Sequence, residues 1–346
     1  MKPWSWRDPP AGRFEDVWFE SAALARNPLG DPASRPLIVY LPPGYDQAEN
    51  EKRRYPSIYV IQGFASQVDA WRNRRGFRPN MLERVDEVFA DPDVPPCLVV
   101  FVDAWTAIGG SQYVDSPAIG KYHTYLCDDV VGFVDGRYRT SSAPEHRGIA
   151  GHSSGGYGAM ISAMLRPDIF GGLANHAGDA LFELCYAPDF PHCARSLSRN
   201  YDGSFDKFWE DFRSRPYDKP GDFQVINTYA MAASYSANED GTIDFPFDLT
   251  SGRRIDEVWD RWLEWDPVRM VPRFAEALRS QRAIWIDGGK SDEYFLELGG
   301  IAFRDALVEI GVTEPVVRFE LFDGRHTGID WRYPLAIRWL AERLGV

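Results

Sequence analysis

The chain has 346 residues, 44% hydrophobic and 14% aromatic, which is ample for a large buried core and excludes a disordered polymer. Its 51 acidic side chains outnumber 38 basic ones. The resulting charge of −13 argues for plain solubility and against nucleic acid or an anionic membrane surface as a partner. No stretch has the length of a membrane span. The opening Met1-Lys2-Pro3-Trp4-Ser5-Trp6-Arg7 lacks an apolar h-region, so no secretory leader is expected in it and a cytoplasmic location is.

In chain order, residues 37–41 (LIVYL) read as a strand ended by Pro42-Pro43-Gly44, and 57–61 as a second that stops at Gln62-Gly63. Residues 81–90 have a helical pattern, 97–102 form a third strand, and 122–134 are helical again. A short run at 147–150 precedes Gly151, a helix follows over 155–165, and another strand over 170–175. Beyond the middle come a strand at 283–286, a helix near 295–310, a strand at 316–321 and a last helix to Leu344 with Pro334 in its first turn. The first three strands are near-continuous apolar runs, as expected where both faces are covered. Their alternation with helices predicts an α/β fold with a mostly parallel sheet in a single domain over 1–346.

From about 180 to 265 the rhythm breaks: the segment is aromatic and acidic, with Pro188, Pro191, Pro216 and Pro220. It is too long for a structureless connection, so a partly helical cap over the active site is expected. Trp259 and Trp262, three apart, would share a helix face and, with Trp209, form the core of that cap. The four cysteines, Cys97, Cys127, Cys185 and Cys193, lack metal-ligand spacing. Cys185 and Cys193 could pair only in an exported protein, and reduced thiols are expected.

Gly151-His152-Ser153-Ser154-Gly155 lies between a strand and a helix, the setting of a nucleophile elbow. A serine hydroxyl is a weak nucleophile at neutral pH and needs a base, which in turn needs an orienting acceptor. On an α/β-hydrolase sheet they follow in the order serine, acid, histidine, each on a loop after a strand. His123 and His146 precede the serine, His152 is expected to point away from it, His176 closes the next strand, and His192 is in the insertion. His326 follows the last strand and is the candidate base. For the acid, Asp292 lies deeper in its loop and can reach back to the histidine; Asp287 would bond backbone amides, and it and Asp179 remain alternatives. The oxyanion needs backbone donors, here Ser154 N–H after the nucleophile and Phe64 N–H after Gly63. Gly63 could instead make an ordinary turn.

These features resemble the putative-esterase branch of the α/β-hydrolases, the group of S-formylglutathione hydrolase, feruloyl and acetyl-xylan esterases, enterochelin-type esterases and mycolyltransferases. The resemblance runs from about Val17 to the C-terminus. It is carried by Ser21-Ala22-Ala23-Leu24, Val39-Tyr40-Leu41-Pro42-Pro43-Gly44-Tyr45, Tyr59-Val60-Ile61-Gln62-Gly63, Gly109-Gly110-Ser111-Gln112-Tyr113 with Ser116-Pro117, the elbow, Trp265-Asp266-Pro267 and the Asp292 and His326 loops. It implies an α/β-hydrolase fold, the triad Ser153, Asp292 and His326, oxyanion donors at Phe64 and Ser154, and no metal or other cofactor. The chain departs from the family's usual His-Gly at Gln62-Gly63, which leaves the backbone donor in place, and its insertion is longer than in compact members.

Trp105, Gln112, Tyr113 and Trp331 would line the acyl or alcohol pocket, or else serve as core aromatics and a structural loop. The leading expectation is a serine carboxylester hydrolase acting on a small-molecule or glycoside ester through an acyl-enzyme. Acyl transfer to an alcohol is the alternative, and a silent binding scaffold the remote one.

Overall fold

The computed structural model describes residues 9–345, so the reading of the first seven residues lies outside it. Eight strands form one sheet: β1 (Arg13–Glu20), β2 (Ser34–Leu41), β3 (Ser57–Ile61), β4 (Leu98–Val102), β5 (Arg147–His152), β6 (Gly172–His176), β7 (Ala283–Gly289) and β8 (Val317–Phe322). Their order is β1-β2-β4-β3-β5-β6-β7-β8. β1 and β2 pair antiparallel at one edge, and every pair from β4 to β8 is parallel.

The uninterrupted apolar runs follow from covering on both faces. Ile58, Val60, Val99 and Phe101 point to the face that carries the helices Met81–Phe89 and Arg332–Leu344. Tyr59, Ile61, Leu98, Val100 and Val102 point to the other, beneath Val131–Arg137, Ser154–Leu165 and Leu296–Glu309. β3 and β4 are buried throughout, and each such Val, Ile or Leu contributes about 1.5–3 kcal/mol.

Three elements differ from the sequence reading. β1 was not anticipated, because it is a one-sided edge strand: Val17 and Phe19 are buried while Trp18 is 67% exposed, so no apolar run marks it. The helix expected over 122–134 is made of Tyr122–Thr124, a wide π-type turn at Tyr125–Val130 and Val131–Arg137. β5 continues two residues past Ala150 and delivers the chain directly to Ser153.

Between β6 and β7 the main elements are helices: Phe190–Asn200, Phe205–Ser214, Asp222–Tyr235 and Asp256–Leu263. Trp259 and Trp262 are buried among them and Trp209 is partly so. Trp262 donates its indole N–H to Ser236 Oγ at 2.8 Å and meets the Tyr186 ring edge-on at 5.9 Å. The Asp266 carboxylate anchors the segment by accepting the N–H groups of Leu181 (3.1 Å) and Phe182 (2.8 Å) and capping Val268 (2.9 Å). This aromatic core is continuous with that of the sheet. The four cysteines are buried and unpaired, and no helix among the described residues is long and apolar enough to cross a membrane.

Candidate active site

Ser153 stands between β5 and the helix Ser154–Leu165 with φ 58° and ψ −127°, a conformation that L-residues rarely adopt. The turn is possible because its flanking glycines have no side chains. A Cβ on Gly151 would lie 2.2 Å from the carbonyl carbon of Gly155, and one on Gly155 would lie 2.7 Å from the carbonyl oxygens of Ile61 and Gln62. The serine N–H donates to the His176 carbonyl oxygen at 3.0 Å, which fixes the elbow to β6.

The side chains of Ser153, His326 and Asp292 form one line. His326 Nε2 is 3.1 Å from Ser153 Oγ, and its Nδ1 is 2.8 Å from Asp292 Oδ2. With the Nδ1 proton given to the carboxylate, Nε2 is left to accept from the serine hydroxyl. Asp292 Oδ1 accepts the Tyr294 N–H at 2.8 Å, and the His326 N–H donates to Glu293 Oε2 at 2.9 Å. That last bond, first among its causes, holds the Glu293 carboxyl below its ordinary range. Asp292 and His326 are buried, and the Tyr294 ring meets the imidazole edge-on at 4.9 Å.

Phe64 and Gly63 face the same serine across a cavity of about 340 Å³. Among the described residues no acceptor takes the Phe64 N–H or the Ser154 N–H; the latter is the first of its helix, where the helix dipole is positive. The segment before them is clamped by Tyr113, whose hydroxyl accepts from Gln62 N–H at 2.7 Å and donates to Gln62 O at 2.8 Å. The Gly110 N–H donates to Phe64 O at 2.8 Å from the hairpin that contains Trp105.

The comparisons with known proteins fit this arrangement. The model of the family described as Putative esterase matches residues 32–332. The chain belongs to that family. A curated endo-1,4-beta-xylanase/feruloyl esterase of Xylanibacter ruminicola is 27% identical over 168 residues, 46% of this chain and 21% of that protein. An uncharacterized protein, YbbA, of Bacillus subtilis is 23% identical over 43% of this chain and 59% of its own length. The chain thus spans about a fifth and three fifths of these curated relatives. Among solved structures, a ferulic acid esterase superposes with a TM-score of 0.59 at 20% identity, covering 96% of this chain and 99% of its own. The S-formylglutathione hydrolase FrmB of Staphylococcus aureus gives 0.57 at 15% identity, over 95% and 99%. Both share the α/β-hydrolase fold seen here.

Not every residue singled out from the sequence of this esterase-family member lies at the cavity. Trp105, Gln112, Tyr113 and Trp331 do not line it. Tyr113 and Gln112 are wholly buried behind it, and Trp105 gives its carbonyl to Arg35 at 2.9 Å. Trp331 is 42% exposed and borders a second cavity of about 570 Å³ with Arg75, Arg78 and Arg84; the two cavities share Ser66, Trp71 and Asp330. Their residue types suit a pocket, but Gln112 and Tyr113 brace its wall from behind and Trp331 borders the second cavity.

His152 also differs from expectation. It lines the cavity, with its ring centroid 4.5 Å from that of His326, at the last position of β5. Asp287 does not bond backbone amides. It accepts from His176 Nδ1 (2.8 Å), Trp285 Nε1 (2.6 Å) and Arg332 Nε (2.7 Å). Burial opposes its charge, but His176 and Arg332 outweigh burial and its pKa falls below the usual value. His123 bonds the Tyr113 carbonyl at 3.1 Å, His146 the Leu344 carbonyl at 2.8 Å, and His192 is exposed.

The cavity wall includes residues the sequence reading missed: Phe223 and Asn227 from the helix Asp222–Tyr235, then Tyr186 and Tyr294; Asp179, an alternative acid in the sequence, lines it too. The spacing of Phe223 and Asn227, four apart on one helix face, is the signal that could have found them. Among the described residues no group of three or more His, Cys, Asp or Glu side chains could hold a metal ion.

Proposed function

We propose that this chain hydrolyses small-molecule carboxylic esters through a Ser153–His326–Asp292 triad and an acyl-enzyme intermediate. The supporting observation is the unbroken line from Ser153 Oγ to His326 Nε2 (3.1 Å) and from Nδ1 to Asp292 Oδ2 (2.8 Å), set on a strained elbow. His326 takes the serine proton as Oγ attacks the ester carbonyl, and Asp292 holds the ring orientation and the imidazolium that forms. The oxyanion receives the N–H groups of Phe64 and Ser154, aided by the positive end of the serine's helix. The intermediate collapses as His326 returns the proton to the departing alcohol oxygen. Water, deprotonated by the same nitrogen, then attacks the acyl-enzyme and releases the acid and free Ser153.

In this reading the protein is one domain and the helical insertion, about 180–265, is its cap, since Cys185, Tyr186, Phe223 and Asn227 contribute to the cavity wall. Relatives named for ferulic esters and for S-formylglutathione share the scaffold, so the proposal is the ester class rather than a single substrate. A fluorophosphonate probe is expected to label Ser153, and Ser153→Ala to abolish labelling and turnover of 4-nitrophenyl acetate. Undiminished turnover in that variant overturns the proposal.

A further inference from the structure

Two carboxylates in the cavity wall are not used by the triad, the exposed Asp330 and the buried Asp179. Asp179, just after β6, is 6% exposed. Its Oδ2 accepts from the Tyr186 hydroxyl at 2.8 Å, Ser154 Oγ at 3.2 Å and Gln112 Nε2 at 3.3 Å. Its Oδ1 has no hydrogen-bond partner among the described residues, is not sealed from solvent, and belongs to the side chain that borders the cavity. Among the described residues no lysine or arginine forms an ion pair with it. Burial, the largest influence, raises its pKa.

This arrangement is unfavourable unless it serves a ligand. Burying a carboxylate without a cation is costly. Its position beside Ser154 sets a negative charge near a donor meant for an oxyanion, which opposes the developing charge. Tying Tyr186, Ser154 and Gln112 together requires only a neutral acceptor, and an asparagine oxygen would supply one. The wall mixes apolar and aromatic side chains (Phe64, Phe223, Tyr294 and Leu296) with the polar Ser66, Asn227, Thr327 and Asp330. Asp179 is the carboxylate in it that bonds the residue after the nucleophile, so a donor on the substrate close to the scissile ester would find Asp179 as its partner.

We propose that Asp179 is a specificity-determining residue that accepts a hydrogen bond from a donor on the substrate, a hydroxyl or a protonated amine within a few bonds of the scissile ester. The short reach follows from the chain: Asp179 bonds the side chain of Ser154, the residue directly after the nucleophile. An ester that fills the cavity without a donor leaves Oδ1 desolvated and unpaired, and sites of this kind reject such analogues far more strongly than apolar pockets reject an extra methylene. The inference rests on the esterase reading above.

The test compares kcat/KM within matched pairs on active-site-titrated enzyme. Methyl 3-hydroxybutanoate against methyl 3-methoxybutanoate places the donor on the acyl side; 2-hydroxyethyl acetate against 2-methoxyethyl acetate places it on the alcohol side. The wild type is expected to prefer the hydroxyl member of one pair by at least about tenfold, and Asp179→Asn to bring that ratio to within about threefold of one. Methyl 3-aminobutanoate separates the two donors: turnover above the hydroxyl ester assigns an ammonium, and turnover below it a neutral hydroxyl. A wild-type ratio near one in both pairs, or a ratio unchanged by Asp179→Asn, overturns the proposal. The wild-type comparison needs no variant, so it decides even where Asp179→Asn fails to fold. Loss of the esterase reading looks different: no turnover of methyl butanoate and no fluorophosphonate label on Ser153.

Discussion

The imidazole of His152 packs on that of His326, with centroids 4.5 Å apart and planes tilted by 36°. The residue before the nucleophile therefore touches the proposed base. Burial, and then the neighbouring His326 and His176, push the His152 pKa well below its ordinary value, and its Nε2 is buried without a partner. A neutral ring at this position lets His326 become cationic during turnover without a second positive charge against it.

This has a consequence for stability. A free histidine titrates near 6.5. Above that pH the folded and unfolded chains both hold His152 neutral; below it only the unfolded chain takes up the proton, so stability falls as the medium is acidified. His152→Gln is expected to lose about 1–2 kcal/mol less than the wild type between pH 7 and pH 5, measured by urea denaturation at the two pH values. Parallel losses in the two proteins would remove His152 from this account.

Asp292 and Asp287 separate chemistry from stability. Asp292→Asn is expected to lower kcat by about 10²–10⁴ with little change in Tm, because the amide no longer holds the Nδ1–H tautomer of His326. Asp287→Asn takes from Arg332, 2.7 Å away and almost fully buried, the buried one of its two carboxylate partners and leaves it the half-exposed Glu320. A loss of about 2–3 kcal/mol is expected there, read as a fall in Tm, with labelling of Ser153 retained in whatever fraction remains folded. A catalytic loss at Asp287 larger than that at Asp292 would exchange the roles.

The two aspartates also show what sequence could reveal. Ser153, Asp292 and His326 could be singled out because each sits on a loop directly after a strand, in the order serine, acid, histidine. The partners of Asp287 were not, since His176 is 111 positions away and Arg332 is 45; only the parallel pairing of β6 with β7 and the docking of the last helix bring them together. β1 escaped notice because Val17 and Phe19 are its only buried positions. The cavity wall was obscure for a related reason: Phe223 and Asn227 reach it from a helix in the segment whose pattern is least periodic.

Tyr113 gives the last prediction. The sequence allows it as a pocket residue or as a core aromatic; it is buried at φ 54° and its hydroxyl is bonded to both the N–H and the C=O of Gln62. Tyr113→Phe leaves two buried backbone groups without partners, worth about 1–3 kcal/mol of stability. It also frees the two residues that lead into Phe64 N–H. An oxyanion donor acts on the transition state and not on the bound ester, so its misplacement lowers kcat and spares KM. We expect kcat to fall by about tenfold to a hundredfold, less than complete removal of a donor, with KM within about threefold, measured well below the variant's Tm. A loss that appears in KM alone would place Tyr113 in substrate binding instead, and an unchanged kcat would mean that the Gln62–Phe64 segment keeps its geometry without the clamp.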